Sequence, residues 1–104
     1  MARRKLLIEP EAHAARERLP GHVRQRLKRA IESLADDPRG HRSSALDLSD
    51  IQVPPGIELR RLRIGQWRVI YAVNDNDGWV WVLAIRRRPP YDYEDLGDLT
   101  DPLT

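Results

Sequence analysis

Cysteine is absent from this 104-residue sequence. That excludes a disulfide framework, a thiolate metal site and a cysteine nucleophile. No Gly-rich phosphate cradle occurs, and His13, His22 and His41 lack the spacing of metal ligands. Each histidine reads as a surface residue, so neither a metal nor a cofactor is expected. Long apolar runs are missing as well. Near the N-terminus only Leu6-Leu7-Ile8 is apolar, too short for a signal-peptide core, and nothing approaches a membrane-spanning length. These absences lead to the expectation of a soluble, cytoplasmic protein with no membrane partner.

Lysine is scarce where arginine is plentiful: 16 of the 18 basic residues are Arg. The planar guanidinium suits bidentate recognition of phosphate, so composition leans towards a polyanionic partner. The net charge of +2 hides an uneven distribution. Residues 1–88 carry 18 basic and 11 acidic groups, or +7, whereas residues 89–104 carry five acidic and no basic groups, or −5. A basic body is followed by an acidic tail. At this length, with no internal repeat, the chain has room for a single core. The expected organisation is one domain over residues 1–96 and an acidic, mobile tail over 97–104.

Arg4 to Ile8 can form a short strand. Glu9-Pro10-Glu11 then opens a helix, with proline tolerated and acid favoured in the first turn. A second helix begins at Pro20, its apolar stripe being Val23, Leu27, Ala30, Ile31 and Leu34, and Asp36-Asp37-Pro38 stops it. Together residues 10–36 read as a helical hairpin lying on one face of a sheet. Residues 38–57, with three prolines, two glycines and three serines, read as a connection anchored by Leu46, Leu48 and Ile51.

Three strands follow as a meander: Leu59–Ile64, Trp67–Val73 and Trp79–Ile85. Ile64-Gly65-Gln66-Trp67 has glycine where a two-residue II′ hairpin needs positive φ. That turn sets Arg63 opposite Arg68, Leu62 opposite Val69 and Arg61 opposite Ile70. Arg61, Arg63 and Arg68 then share one side, while Leu62, Ile64, Trp67, Val69, Tyr71 and Val73 face a core. Like charges directly opposite one another destabilise a strand pair, which suggests an anion that neutralises them. The pattern fits equally a solvated face on which an arginine pairs with a nearby acid. Trp79 to Ile85 has no polar position and reads as a central strand buried on both faces.

The order strand, two helices, meander, together with Arg61-Leu62-Arg63-Ile64-Gly65-Gln66-Trp67-Arg68-Val69-Ile70-Tyr71, resembles the RelE/ParE superfamily of bacterial toxins. Its motif has the form R-x-R-x-G-x-aromatic-R-hydrophobic-x-Y. Val82 to Tyr91 resembles the last strand of that family, running into a basic residue and a tyrosine. The resemblance covers about residues 4–95 and implies an α+β fold: a small, twisted, mainly antiparallel sheet in the order β-α-α-β-β-β, with a helical hairpin on one face.

The resemblance also implies function. RelE-like members are ribosome-dependent endoribonucleases that cut mRNA, ParE-like members poison DNA gyrase, and both are held by a small antitoxin. For this chain it implies the toxin of a type II toxin-antitoxin system, an mRNA interferase inhibiting translation, in a hetero-oligomer with its antitoxin. A gyrase inhibitor and a catalytically inert binding module are the alternatives. The implied catalytic set is Arg61, Arg63, Arg68, Arg87, Tyr91 and Tyr93, and Arg60, Arg86 and Arg88 are the implied RNA contacts. Arg87 or Arg88 matches the basic residue ending the last strand, and Tyr91 or Tyr93 the late tyrosine. The chain departs from the pattern in having neither a lysine in the basic strand nor a histidine near the C-terminus, where some members place them, and arginine is a poor base at neutral pH.

Overall fold

A computed structural model describes residues 3–46, 53–87 and 100–103. Strand β1 (Lys5–Ile8) leads into helices α1 (Pro10–Glu17) and α2 (Gly21–Ser33), and strands β2 (Ser43–Ala45), β3 (Glu58–Ile64), β4 (Trp67–Asn74) and β5 (Trp79–Arg87) follow. The sheet order is β1-β5-β4-β3-β2, parallel at β1–β5 and antiparallel elsewhere. The α+β class and the helical hairpin are those expected, and β2 is an added strand. Ser43-Ser44-Ala45 is too short and too polar for alternation to reveal it, because an edge strand of this kind is held by backbone pairing to β3.

Both helices lie on one face. Leu27 and Ile31 of α2 are fully buried and Leu34 nearly so, against Leu62, Val69, Tyr71 and Val82 of the sheet. Each such side chain contributes about 1.5–3 kcal/mol of burial, which is why the stripe rather than intrinsic helix propensity fixes α2. Arg16 of α1 is buried, although arginine is mostly exposed in folded proteins. It is 7% exposed, and its Nε has no hydrogen-bond partner among the described residues, the Glu17 Oε1 lying 3.9 Å away.

The opposite face carries a smaller apolar cluster of Leu59, Ala72 and Leu83, covered by Leu46, Val53, Ile57 and Leu103. Trp79 and Trp81 pack there edge to face, ring centroids 5.8 Å apart, with Trp81 Nε1 donating to Glu9 Oε1 at 2.9 Å. The far end of the acidic tail is therefore docked: Thr100 is buried, and residues Asp101–Leu103 form a 3-10 turn on this cluster. Leu48 and Ile51, expected as anchors, lie outside the described residues.

β5 is an interior strand, as its apolar run implies, although the middle place belongs to β4. One irregularity in β5 matters for the site. Ile70 pairs with Ala84 and Tyr71 with Val82, so Leu83 is an extra residue, a β-bulge. Beyond it the alternation is inverted. Arg86 falls opposite Arg68, and Arg87 falls opposite Trp67 on the helix side.

Candidate functional site

The β3–β4 hairpin has the expected register, with Ile64 opposite Trp67 and Arg63 opposite Arg68. Gly65 has φ +57°, and no described non-glycine residue has positive φ, which matches II′ and excludes I′. A side chain at Gly65 would also meet Arg26 Nη1 at 3.2 Å. This turn aligns Arg63, Arg68 and Arg86 across three adjacent strands, and Arg61 stands two residues from Arg63 on the same face. Their Cα atoms are about 4.5–5.5 Å apart from strand to strand, close enough for the guanidinium charges to act together.

Arg68 is the least exposed of these, at 9%. Its Nη1 donates to the carbonyls of Gly65 and Trp67, both at 2.9 Å. The guanidinium is thus pinned to the turn and spends two of its five N–H donors there. Arg63 is exposed, and Arg61 is half-buried with Nη2 3.4 Å from Ser44 Oγ.

A polar cleft of about 240 Å³ extends the row at the β2 edge, lined by His41, Arg42, Ser43, Ser44, Arg61 and Arg63. The Ser43 N–H donates to the Gly40 carbonyl at 2.9 Å, closing a turn with His41 and Arg42 at its corner. The Arg63 N–H donates to the Arg42 carbonyl at 3.0 Å, which ties that turn to β3. Arg42, Arg63, Arg68 and Arg86 therefore follow one another across four segments of chain. Among the described residues no carboxylate pairs with Arg42, Arg63 or Arg68.

Other arginines are neutralised elsewhere. Arg60 faces the helix side opposite Tyr71 and pairs with Glu58, and Arg39 bridges Glu58 (3.5 Å) and Asp75 (2.9 Å), which also holds Arg4 (3.0 Å). Hydrogen bonds from Arg60 and from Arg39 hold the Glu58 and Asp75 carboxyls, respectively, below the usual carboxylate range. Arg60 Nε also donates to Ser43 Oγ at 2.7 Å, Ser43 bonds the Tyr71 hydroxyl, and that hydroxyl donates to the Pro38 carbonyl at 2.5 Å. Burial raises the Tyr71 pKa, so the phenol stays neutral and serves as a donor. Tyr71 holds the 38–43 segment in place, and with it the cleft.

Of the residues implied by the resemblance, the structure brings together Arg61, Arg63, Arg68 and Arg86. Arg60 and Arg87 lie on the helix side, Arg87 with Nη2 3.4 Å from Gln66 Oε1. Arg88, Tyr91 and Tyr93 lie outside the described residues. His41, Arg42 and Ser44 carried no signal in a segment read as connection. Pairing to β3, which no local pattern encodes, is what puts them beside the arginines. Among the described residues no three His, Asp or Glu side chains form a metal-binding group.

Residues 6–89 match the family described as the ParE toxin of the type II toxin-antitoxin system parDE. The chain belongs to this family. As a ParE-family toxin of the RelE/ParE type, it keeps the arginine row and the cleft inside the matched span, which stops short of Tyr91 and Tyr93. Its fold is that of solved RelE proteins. RelE in the archaeal RelE-RelB complex from Pyrococcus horikoshii OT3 superposes with a TM-score of 0.73 at 22% identity, covering 86% of this chain and 100% of that one. The RelBE2 toxin-antitoxin complex from Mycobacterium tuberculosis gives 0.65 at 17% identity, covering 84% and 100%. The isolated E. coli RelE toxin gives 0.61 at 19% identity, covering 91% and 95%. At these identities the likeness establishes the fold. No curated protein matches the sequence.

Proposed function

We propose that this toxin is a ribosome-dependent mRNA endoribonuclease that inhibits translation in the cytoplasm. The observation that carries the reading is the row Arg63, Arg68 and Arg86, flanked by Arg61 and by a polar cleft. Arg63 and Arg68 stand directly opposite one another with no carboxylate partner among the described residues. Like charges so placed repel unless an anion lies across them, and a phosphodiester backbone is such an anion. In the reaction the 2′-oxygen of RNA attacks the adjacent phosphorus while the bond to the 5′-oxygen breaks. The substrate supplies its own nucleophile, and the protein orients it and neutralises the charge that grows on the phosphoryl oxygens. Arg61, Arg63, Arg68 and Arg86 perform that neutralisation. Arg87, on the helix side, stands apart from that row.

The products are expected to carry 2′,3′-cyclic phosphate and 5′-hydroxyl ends, and mRNA with a single 2′-deoxy at the cut site is expected to resist. Incubating purified toxin with programmed ribosomes and sequencing the fragment ends measures both. Cleavage of the 2′-deoxy substrate would refute the mechanism. The match to the ParE family favours a second reading, binding to DNA gyrase without cutting. Intact mRNA combined with gyrase stalled by the purified chain would decide for it, and inactivity in both assays would leave an inert binding module.

The partner in this reading is a small antitoxin that lays an acidic or amphipathic segment over the arginine face or the helical hairpin. Support comes from the exposed basic groups, and from the solved complexes in which proteins of this fold are bound to RelB. Co-expression with the adjacent small reading frame is expected to yield a complex that survives moderate salt with nanomolar-class affinity. Failure to co-purify would count against it.

A further inference from the structure

We infer that His41 is the general base of the cleavage reaction, accepting the proton of the attacking 2′-hydroxyl. This rests on the RNA-cleavage reading above. Attack by a 2′-oxygen requires that its proton be taken up as the bond to phosphorus forms. The arginines that bind the phosphate cannot take it, because guanidinium stays protonated throughout the working range. A tyrosine is mostly protonated at neutral pH as well, its ordinary pKa being near 10. Imidazole is the side chain suited to that transfer.

The geometry singles out one of the three histidines. His41 lines the polar cleft with Arg42, Arg61 and Arg63, whereas His13 and His22 sit on α1 and α2, on the other side of the sheet. It is exposed, so a substrate hydroxyl can reach it. Its backbone is held, although its side chain is accessible. The Ser43-to-Gly40 bond closes the turn, and the Arg63-to-Arg42 bond fixes that turn beside the strand carrying the phosphate-binding groups. A phosphate held by Arg61 and Arg63 thereby places its ribose next to the ring.

The charged groups around the ring complete the arrangement. Arg42, Arg61 and Arg63 line the cleft with it. On its other side His41 also lines an apolar groove between α2 and β3, where the acid among the described residues is Asp37. The Asp37 carboxylate accepts the Arg39 N–H at 3.2 Å and is thereby part of the turn that precedes His41. Neutral His41 takes the 2′-proton as the oxygen–phosphorus bond forms. The bond from phosphorus to the 5′-oxygen breaks, the leaving 5′-oxygen takes a proton from water, and imidazolium later returns its proton to solvent.

The test compares wild type, His41→Ala and His41→Gln on ribosome-bound mRNA, with His22→Ala as the control. Both His41 variants are expected to lose about 10²-fold in cleavage rate or more, the usual contribution of a positioned base. The wild-type rate is expected to rise with pH and then level off, the profile of a reaction that needs its base unprotonated. His41→Ala should lose that rise, and added imidazole should restore part of its rate. RNA binding should stay within about twofold, because the arginines remain. A separate readout is the His41 ring resonance in the whole toxin, expected to shift when a 2′-O-methyl oligonucleotide is added. Activity within threefold of wild type, an unchanged pH profile or an unmoved ring resonance would each overturn the inference while leaving the cleavage reading intact. A wild-type toxin that cuts no RNA would overturn both.

Discussion

Arg68→Ala is expected to lower cleavage of ribosome-bound mRNA by about 10²-fold, the typical cost of removing one preorganised donor to a charge that grows in the transition state. Preorganisation has a structural basis here. Nη1 is bonded to the Gly65 and Trp67 carbonyls, and the residue is 9% exposed, so the guanidinium does not have to be ordered when phosphate arrives. Three N–H donors remain for substrate. Losing the two carbonyl bonds also weakens the hairpin, by about 1 kcal/mol on the usual scale for such bonds. The effect on rate should therefore exceed what the loss of stability alone could produce. Arg68→Lys should recover only part, since an ammonium keeps the charge and loses the planar fork that spans turn and phosphate together. The control is Arg29→Ala, an exposed arginine on α2. Arg16 is unsuitable for that purpose, because it is buried in the structure. Equal loss in Arg68→Ala and Arg29→Ala would reduce the role of Arg68 to bulk charge.

Tyr71→Phe should show the reverse signature, a fall in stability with RNA binding retained. The hydroxyl is fully buried between the Pro38 carbonyl and Ser43 Oγ, and removing it leaves both short of a partner. An unsatisfied buried group costs about 1–3 kcal/mol. The lower part of that range is expected, because Ser43 Oγ already lies 3.3 Å from the Pro38 carbonyl and can turn its proton there. For a domain of this size Tm should fall by about 4–8 °C per kcal/mol, measured by calorimetry. The pH dependence carries a sign. Burial raises the Tyr71 pKa, so its contribution is fully present below the unfolded tyrosine value of about 10 and is lost as pH rises through the higher folded value. Tyr71→Phe should remove that alkaline loss. An unchanged Tm, or an unchanged alkaline limb, would show that the network contributes nothing to stability.

Local chemistry made much of this molecule legible. Gly65 with its neighbours gave the hairpin register and hence the face shared by Arg61, Arg63 and Arg68, because a two-residue turn leaves no freedom in the pairing. The Val23, Leu27, Ile31 and Leu34 stripe marked the helical face in the same way, since its spacing follows the helix period. Arg86 and Arg87 show where such reasoning stops. Strict alternation from Val80 would have put Arg87 on the arginine face, and the bulge at Leu83 exchanges the two. Val82-Leu83-Ala84-Ile85 is apolar throughout, so no change of polarity marks the extra residue.

The sequence by itself determined both helices and four of the five strands, the side of the hairpin on which its arginines stand, and the motif of the RelE/ParE type. Each of these follows from contacts within a few residues or from a period repeated along one element. Only the tertiary structure decided that Arg86 rather than Arg87 completes the row, that Arg16 is buried, and that His41 and Arg42 meet Arg61 and Arg63. Those outcomes depend on pairing between segments about 20 residues apart and on packing across the sheet. The free energy of such contacts is set by partners the local pattern does not contain.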